Sequence, residues 1–507
     1  KGRDAGGHRS AAAVGQADPC DLFGDGIDRQ GVQVSKRSMS FLKIIALDSD
    51  DPRFDSVFVS NYALLNVVDE LRRIPGVGDV QIFGSKDYSI RVWLRPDVLA
   101  KLGLTPGDVA EAIRERGGKV SVIAGADPAT DAARHARSLY QGGVLPVEQA
   151  TRGEVLVDCL FGSGLTRPLS AEHMALLTHL AAIHHHVVAI DLPSGIDADL
   201  GQPLNRGLPH NDLTIALGAW KFAHFLMPAA ASMGALKLVD IGVEPVGAAA
   251  RAIAQPQFDP PGADDHKYTR GLLGVMVGAM PGAALLAAHA AQGAGAGYVR
   301  LHADAPLAVP NELVVSTQPL AEALTDKRIA ALLVGPGLGR DAKAREKLTL
   351  ALAEQIPAVL DADALVVLAP RLLAEHQTPL VATPHEGELL SLERAWDLDG
   401  AGSKVDRAVA LALASGMVVV AKGADTVVAA PDGRLALAHR ASSWLSTAGT
   451  GDVLAGTIAS RLANGVDAFD AACQGVWLHG EAARLCDPAF AAGQLAEAVR
   501  AAYAACL

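Results

Sequence analysis

The sequence is short of cysteine, of basic clusters and of long apolar runs, and each shortage removes a class of protein. Its five cysteines, Cys20, Cys159, Cys473, Cys486 and Cys506, are scattered with no CxxC pair. That argues against a disulfide framework and a zinc site and fits a reducing cytoplasm. No cluster of Lys and Arg stands along the chain and the formal net charge is -12, so nucleic acid is not an expected partner. The most apolar stretch, IALGAWKFAHFLMPAAASMGAL, is interrupted by Lys221, His224 and Pro228. A membrane-spanning helix needs about 20 largely uninterrupted apolar residues, so no membrane is expected. The opening KGRDAGGHRS has charge but no apolar run behind it, unlike a signal peptide. It begins with Lys rather than Met, so a fragment or a processed product is expected.

What remains is a chain of 507 residues, half of them hydrophobic and 20% charged, too long for one core and well suited to several buried ones. Residues 1–30 show no periodicity and stay unassigned. Over 31–117, SFLKIIALDS reads as a strand, VSNYALLNVVDELRRI as an amphipathic helix, and VQIFGSKDYSIRVWL as strands around Gly84. TPGDVAEAIRER then reads as a helix with Pro106 in its first turn. That is a small α+β segment. Over 118–250 the short apolar runs KVSVIAG, VLVDCLFG, HHVVAIDLPSG, DLTIALG and ALKLVDIGV alternate with helical text, which predicts a parallel sheet covered on both faces. QPQFDPPGADD, rich in Pro and Asp, places a linker at 251–264. A second α/β series fills 265–507: GVMVG, YVRLHA, AALLVGPGLG, PAVLDADAL, TPLVATPHEGE, MVVVAKG and DTVVAAPDG.

Charged residues recur where these strands end, and in open α/β sheets ligands sit outside the carboxyl ends of strands. Asp158 precedes the turn Gly162-Ser163-Gly164, and Asp191 precedes Pro193-Ser194-Gly195. In the second series Gly335, Gly337 and Gly339 follow one strand, and Asp361 and Asp363 another. His385, Glu386 and Glu388 follow a third, and Lys422 ends a predicted hairpin strand. Each has a plain alternative: the aspartates as local caps, His385 as a satisfied structural histidine, Lys422 as a surface lysine, the glycines as ordinary turns. STAGTGDVLAG, residues 446–456, is sharper. Leu454, Ile458 and Leu462 recur every four residues, so a buried helix is expected from about Asp452 to Asn464-Gly465. The preceding glycine turn would aim free amides at a ligand, and those amides with the helix dipole favour an anion such as a phosphoryl group. Asp452 beside them can take a proton from an attacking hydroxyl; the alternative is a helix cap.

Three resemblances add to this. GVQVSKRSMSF, VSNYALLNVVDEL, PGVGDVQIFG and IRVWLRPDVLAKLGLTPGDV resemble the porter region of resistance-nodulation-division efflux pumps, here without the pump's membrane helices. VDCLFGSGLTRP and AIDLPSGIDADLG resemble NAD(P)H-hydrate epimerases, a Rossmann-like fold. That resemblance implies potassium (K+) ligands at Asp158 and Ser194 and cofactor contacts at Gly162, Ser163, Gly164, Leu165, Thr166, Arg167 and Pro168. It also implies an acid/base at Asp191, with Lys221 a looser match. The family's Asn-Gly-Gly-Asp-Gly loop and first strand are replaced by the efflux-like segment, so this unit is expected to be partial, inactive and open at one sheet edge.

GPGLG, DADAL, TPHEGE, KGADT and TAGTGDVLAG, in that order, resemble the ADP-dependent NAD(P)H-hydrate dehydratases of the ribokinase-like superfamily over about 265–490. The resemblance implies Asp452 as catalytic base. Lys422, Gly423, Ala424, Asp425, Thr426 and Gly451 would line the nucleotide, and Ala283, Gly337, His385 and Asp452 would contact NAD(P)H-hydrate. ADP, Mg2+ and a homo-oligomeric assembly are implied as well. His266 and Lys267 match the family's opening, whereas the loop between Val277 and Pro281 is a few residues short, which is expected to lower activity. The fold expected is therefore α/β: two three-layer units, epimerase-like then ribokinase-like, behind a small α+β segment. The rivals are a ribokinase-like small-molecule kinase and an inert chimera.

Overall fold

The chain divides into two units, Lys1–Asp87 and Tyr88–Leu507, and the computed structural model describes residues 90–92, 119–124, 134, 138, 143–146, 149, 152–242 and 250–507. The stretch 1–30 and, apart from 90–92, the α+β segment expected at 31–117 lie outside the described residues.

A five-stranded parallel sheet forms the middle of the chain. Its strands are β1 (Ile90–Val92), β4 (Gly153–Asp158), β5 (His184–Ile190), β6 (Leu213–Leu217) and β7 (Ala235–Val239), side by side in that order. Helix α1 (Ala171–Ala182) starts at Ser170, whose hydroxyl accepts a hydrogen bond from the His173 amide, and it buries Leu176 and Leu180 against Leu156 and Val187. Two expectations change here. KVSVIAG does not join this sheet but forms β2 (Val122–Ile123), paired with β3 (Val144–Leu145) in a separate two-stranded sheet. Nor does the edge beside β4 stand open, because β1 pairs along it, with Ile90 opposite Val155 and Val92 opposite Val157. An exposed strand offers a row of unpaired amides and carbonyls, and ladder bonding reads backbone rather than side chain. Any extended segment of suitable reach therefore serves.

The C-terminal part is built on a ten-stranded sheet. Its strands in chain order are β8 (Ala250–Ala252), β9 (Leu272–Met276), β10 (Tyr298–His302), β11 (Val314–Ser316), β12 (Ile329–Val334), β13 (Ala358–Leu360), β14 (Leu380–Ala382), β15 (Val418–Ala421), β16 (Val427–Ala429) and β17 (Leu435–Leu437). Across the sheet they run β11-β10-β9-β12-β13-β14-β15-β16-β17-β8. All pairs from β11 to β15 are parallel, and β16 then forms antiparallel hairpins with β15 and β17. Every residue of β9 is buried, as befits a strand covered on both faces. Helices α3 (Ala342–Ala353), α4 (Asp363–Val367), α5 (Glu386–Ala395) and α6 (Lys404–Ser415) cover one face through Leu348, Leu365, Leu389 and Leu411. On the other lie α2 (Pro281–Gly293), α7 (Thr450–Ala463) and α8 (Ala468–Leu485), burying Ala287, Ile458 and Phe469. A last helix, α9 (Ala492–Ala504), packs Leu495 and Val499 outside them. The expected linker begins instead as β8, parallel to β17, and continues through buried Ile253 and Phe258. Its Pro and Asp content describes the exposed part after Phe258 and hides the strand ahead of it. Among the described residues no helix is long and apolar enough to cross a membrane.

The central helices touch backbone to backbone. A Cβ at Gly456 of α7 would lie 2.0 Å from the Ala287 carbonyl oxygen of α2, and one at Gly475 of α8 would lie 2.4 Å from Ile458. In Gly456→Ala the helix-propensity gain of about 1 kcal/mol is outweighed by a clash that no rotamer relieves. A net loss of about 1–3 kcal/mol is expected, read as a lower thermal midpoint.

Candidate active site

Helix α7 begins two residues earlier than expected, at Thr450, and Gly449 is its N-cap with φ +90°. Glycine alone holds that left-handed conformation cheaply, and a Cβ there would also press on Ala492 and Leu286. Asp452 is thus the third helical residue, not the cap, and its carboxylate makes no hydrogen bond among the described residues. Burial first, and then repulsion from Asp361, push its pKa up to about 6, with Asp363 adding and Lys422 opposing. A half-buried carboxylate at a helix N-terminus, uncommitted and titrating near neutrality, has the character of a general base.

The opposing cation is held from three sides. Lys422 follows β15, its amide donating to the Pro384 carbonyl (2.8 Å). Its Nζ donates to Asp361 Oδ1 (2.6 Å) and lies 3.9 Å from Glu388 Oε2. Burial pulls the ammonium down, but Asp361 and then Glu388 outweigh it and leave its pKa raised. Asp361, at the end of β13 and fully buried, also accepts from the Thr383 hydroxyl (2.7 Å). A Cβ at Gly451 would lie 3.5 Å from Lys422 Nζ, so the ammonium faces the first turn of α7. Lys422 is therefore no surface lysine and Asp361 no cap.

Asp363 is engaged differently. Its carboxylate accepts from the Gly339 amide (2.9 Å) and Arg340 Nε (2.7 Å), latching the glycine loop. Gly337, at φ +63°, lies where a Cβ would come 2.1 Å from the Met280 carbonyl oxygen, and its own carbonyl accepts from the Met280 amide (2.9 Å). The short loop at 277–280 and the loop at 335–339 are thus sewn together, which brings Gly337 to the start of α2 and to half-buried Ala283 in its first turn. His385 is the N-cap of α5: Nδ1 accepts from the Glu388 amide (3.2 Å), and Glu388 Oε2 accepts from the His385 amide (2.8 Å). Its ring is nevertheless 61% exposed, with Nε2 3.3 Å from Glu388 Oε1, so both nitrogens turn to Glu388 while the ring itself faces solvent.

In the middle unit Asp158 and Ser194 meet in space. Ser194 donates to Asp158 through Oγ (2.7 Å) and through its amide (2.8 Å), and burial raises the Asp158 pKa. Asp191 has φ +67°, a costly conformation for a residue with a side chain. It is fixed there by its amide on the Ile215 carbonyl (2.7 Å) and by His224 Nε2 against its own carbonyl (2.7 Å). Its carboxylate pairs with Lys221. In the loop at 162–168 Gly162 and Leu165 are buried, while Ser163, Gly164, Thr166, Arg167 and Pro168 are exposed. Reading the sequence missed Thr383, Lys404 and His479. Thr383 lies just ahead of the histidine motif, but Lys404 and His479 reach the site from helices with no local signal. His479 Nε2 is 2.9 Å from the Thr450 carbonyl oxygen, and burial pushes its pKa down to about 4, so it is a neutral donor to the first turn of α7.

A carboxylate at a glycine turn stands beside a buried lysine–aspartate pair at the strand ends of a largely parallel sheet, where α/β proteins of the open-sheet class bind their ligands. Comparison with known proteins gives the family. The family profile described as NAD(P)H-hydrate dehydratase matches 273–503, that described as YjeF-related protein N-terminus matches 108–223, and that described as AcrB/AcrD/AcrF family matches 18–126. The chain is 36% identical over 356 residues to the bifunctional NAD(P)H-hydrate repair enzyme of Mycobacterium leprae, covering 68% of this chain and 72% of that one. With the Synechocystis enzyme of the same description it shares 31% over 437 residues, 78% and 82% of the two chains. A solved Bacillus subtilis ADP/ATP-dependent NAD(P)H-hydrate dehydratase, co-crystallised with ATP/Mg2+, is 27% identical with a TM-score of 0.44, covering 50% of this chain and 95% of that one. The chain belongs to the family of bifunctional NAD(P)H-hydrate repair enzymes.

Lys422→Met strands Asp361 in the core with only Thr383 as partner. Removing one member of a buried pair costs about 3–5 kcal/mol, so the melting midpoint falls by several degrees, and Lys422→Arg recovers part of it.

Proposed function

We propose that the C-terminal unit, 265–507, dehydrates NAD(P)H-hydrate with ADP as phosphoryl donor, thereby repairing the damaged nicotinamide cofactor. The observation that carries the reading is Asp452: uncommitted, half-buried, raised to about 6, and set on a helix N-terminus against Lys422. Asp452 takes the proton of the C6 hydroxyl as that oxygen bonds to the terminal phosphorus and the bond to AMP breaks. The C6–O bond then breaks, phosphate leaves, a proton is lost from C5, and the ring double bond returns. The α7 amides and Lys422 hold the transferring charge in place, which is most of what phosphoryl transfer asks of a protein. Gly451 and the loop of Lys422, Gly423, Ala424, Asp425 and Thr426 bound the nucleotide, while Ala283, Gly337 and His385 bound the hydrate. Magnesium is expected on the nucleotide's phosphates, where it neutralises charge; among the described residues no cluster of three acidic, His or Cys side chains stands ready to hold a metal alone.

For the epimerase-like unit at 118–250 the reading is inactivity. Asp191 and Lys221 are assembled, but a hard monovalent ion replaces its water shell with several oxygens. Here Asp158 is already engaged by Ser194 and by the Leu160 amide. Asp158 and Ser194 alone do not make a potassium site, so no step runs through that ion. The chain is proposed to act in the cytoplasm as a homo-oligomer.

The test supplies the purified full chain with hydrated NADH, Mg2+ and ADP or ATP and follows the return of absorbance by the reduced nicotinamide. ADP should restore it, and Asp452→Asn should slow it about 10²–10⁴-fold. A stable phosphorylated product from another small alcohol would move the reading to a kinase. The base must be unprotonated to act, so the rate should fall as pH drops through about 6. A flat rate from pH 5 to 8 would remove Asp452 from the base role.

A further inference from the structure

The segment 219–228 of the middle unit has two faces. One carries Lys221 to Asp191. The other enters the C-terminal core: Phe225 and Leu226 are buried in the cluster that contains Val419, Val427 and Leu437, with Trp220 and Phe222 packed against it. Trp220 and Phe225 also meet the His439 ring, with centroids at 5.3 and 4.9 Å. At the end of this face the Met227 amide donates to Asp425 Oδ2 (3.1 Å). Both oxygens of Asp425 are then engaged, because Oδ1 accepts from Lys404 Nζ (2.6 Å). That same ammonium donates to the Lys422 carbonyl (3.0 Å), and Lys404 and Asp425 are each only 14% exposed. A Cβ at Gly423 would lie 2.4 Å from Lys404 Nζ and 2.6 Å from Asp425 Oδ1, so the loop closes over the pair without room for a side chain.

We infer that the epimerase-like unit has a second role, independent of its own chemistry: it braces the nucleotide loop at 422–426 through Met227, Asp425 and Lys404. Asp425 and Lys404 are positioning residues here. Asp425 commits its carboxylate to the brace rather than to the nucleotide, and Lys404 fixes the backbone from which Lys422 reaches Asp361 and the first turn of α7. The inference rests on the dehydratase reading for the identity of the loop's ligand. It also gives a reason for an epimerase-like unit without its substrate loop to stay attached: the loop at 422–426 has no other tether to a neutral backbone donor of the middle unit among the bonds it makes between described residues.

The experiment uses the full chain with Asp425→Asn, Lys404→Met, Lys404→Arg and Phe225→Ala. Asparagine keeps the shape but sets an NH2 group against either Met227 N–H or the Lys404 ammonium. Losing a hydrogen bond to a charged group corresponds to about a tenfold change. Expected is a nucleotide KM raised about tenfold in Asp425→Asn and Lys404→Met, with the hydrate KM within about twofold, partial recovery in Lys404→Arg, and a smaller rise in Phe225→Ala. Equal changes in both KM values, or none, overturn the brace. Hydrogen exchange on the unmutated chain is a second reading that no folding defect can spoil. ADP with Mg2+ should slow exchange at the Met227 amide, and no change there overturns the inference. If the unmutated chain fails to dehydrate the hydrate while ADP still protects that amide, the dehydratase reading falls and the brace stands.

Discussion

The ammonium of Lys422 is the interaction on which the rest of the C-terminal site depends. It sits where three strand ends converge, bonded to Asp361 after β13, within reach of Glu388 after β14, and facing the first turn of α7. Each neighbour is unfavourable without it. Asp361 would be a buried carboxylate sharing only Thr383, and the carboxylates of Asp361, Glu388 and Asp452 would repel one another in a low-dielectric setting. With the cation present the cluster keeps one group, Asp452, poised near neutrality. The raised pKa of Asp452 is the outcome of burial and two like charges set against one opposite charge, not a property of the residue.

The scaffold places its small residues to make that convergence. Gly335 has φ +130° and lies where a Cβ would come 1.7 Å from the Asp361 carbonyl oxygen, and one at Gly278 would lie 2.2 Å from that of Leu338. These glycines let neighbouring strand-end loops lie on one another, and the helices behind them close up through Gly456 and Gly475. Precision at the site and tight packing beneath it are the same feature: shift α7 off α2, and Gly449, Asp452 and the amides between them move together.

The middle unit shows how far backbone pairing can go without the original residues. Its sheet accepts β1 from a segment that resembles another family, because parallel ladder bonds ask only for an extended chain of suitable reach. In its site Asp158 meets Ser194 and Asp191 meets Lys221, so these buried polar groups satisfy one another.

The order of strands and helices in the C-terminal unit was legible from apolar runs ending in glycine or aspartate, since a strand buried on both faces has to be continuously apolar. Local chemistry was legible too: the helix after Gly449, the hairpin after Lys422, and the charged strand ends at Asp361, His385 and Asp191 follow from residue type and position in the chain. Partnership was not. Nothing near Lys404 in the sequence connects it to Lys422 and Asp425, nothing near His479 to Thr450, and no spacing reveals that Met227 meets Asp425 across 198 residues. The same holds for β1 on β4 and for β8 at the far edge, where composition suggested a linker. Local sequence determines which elements form and which groups stand at their ends, because backbone sterics and side-chain periodicity act over a few residues. Which of those groups face one another, and so which carboxylate stays free to react, is set only when the layers close and bring distant charges into one poorly solvated space.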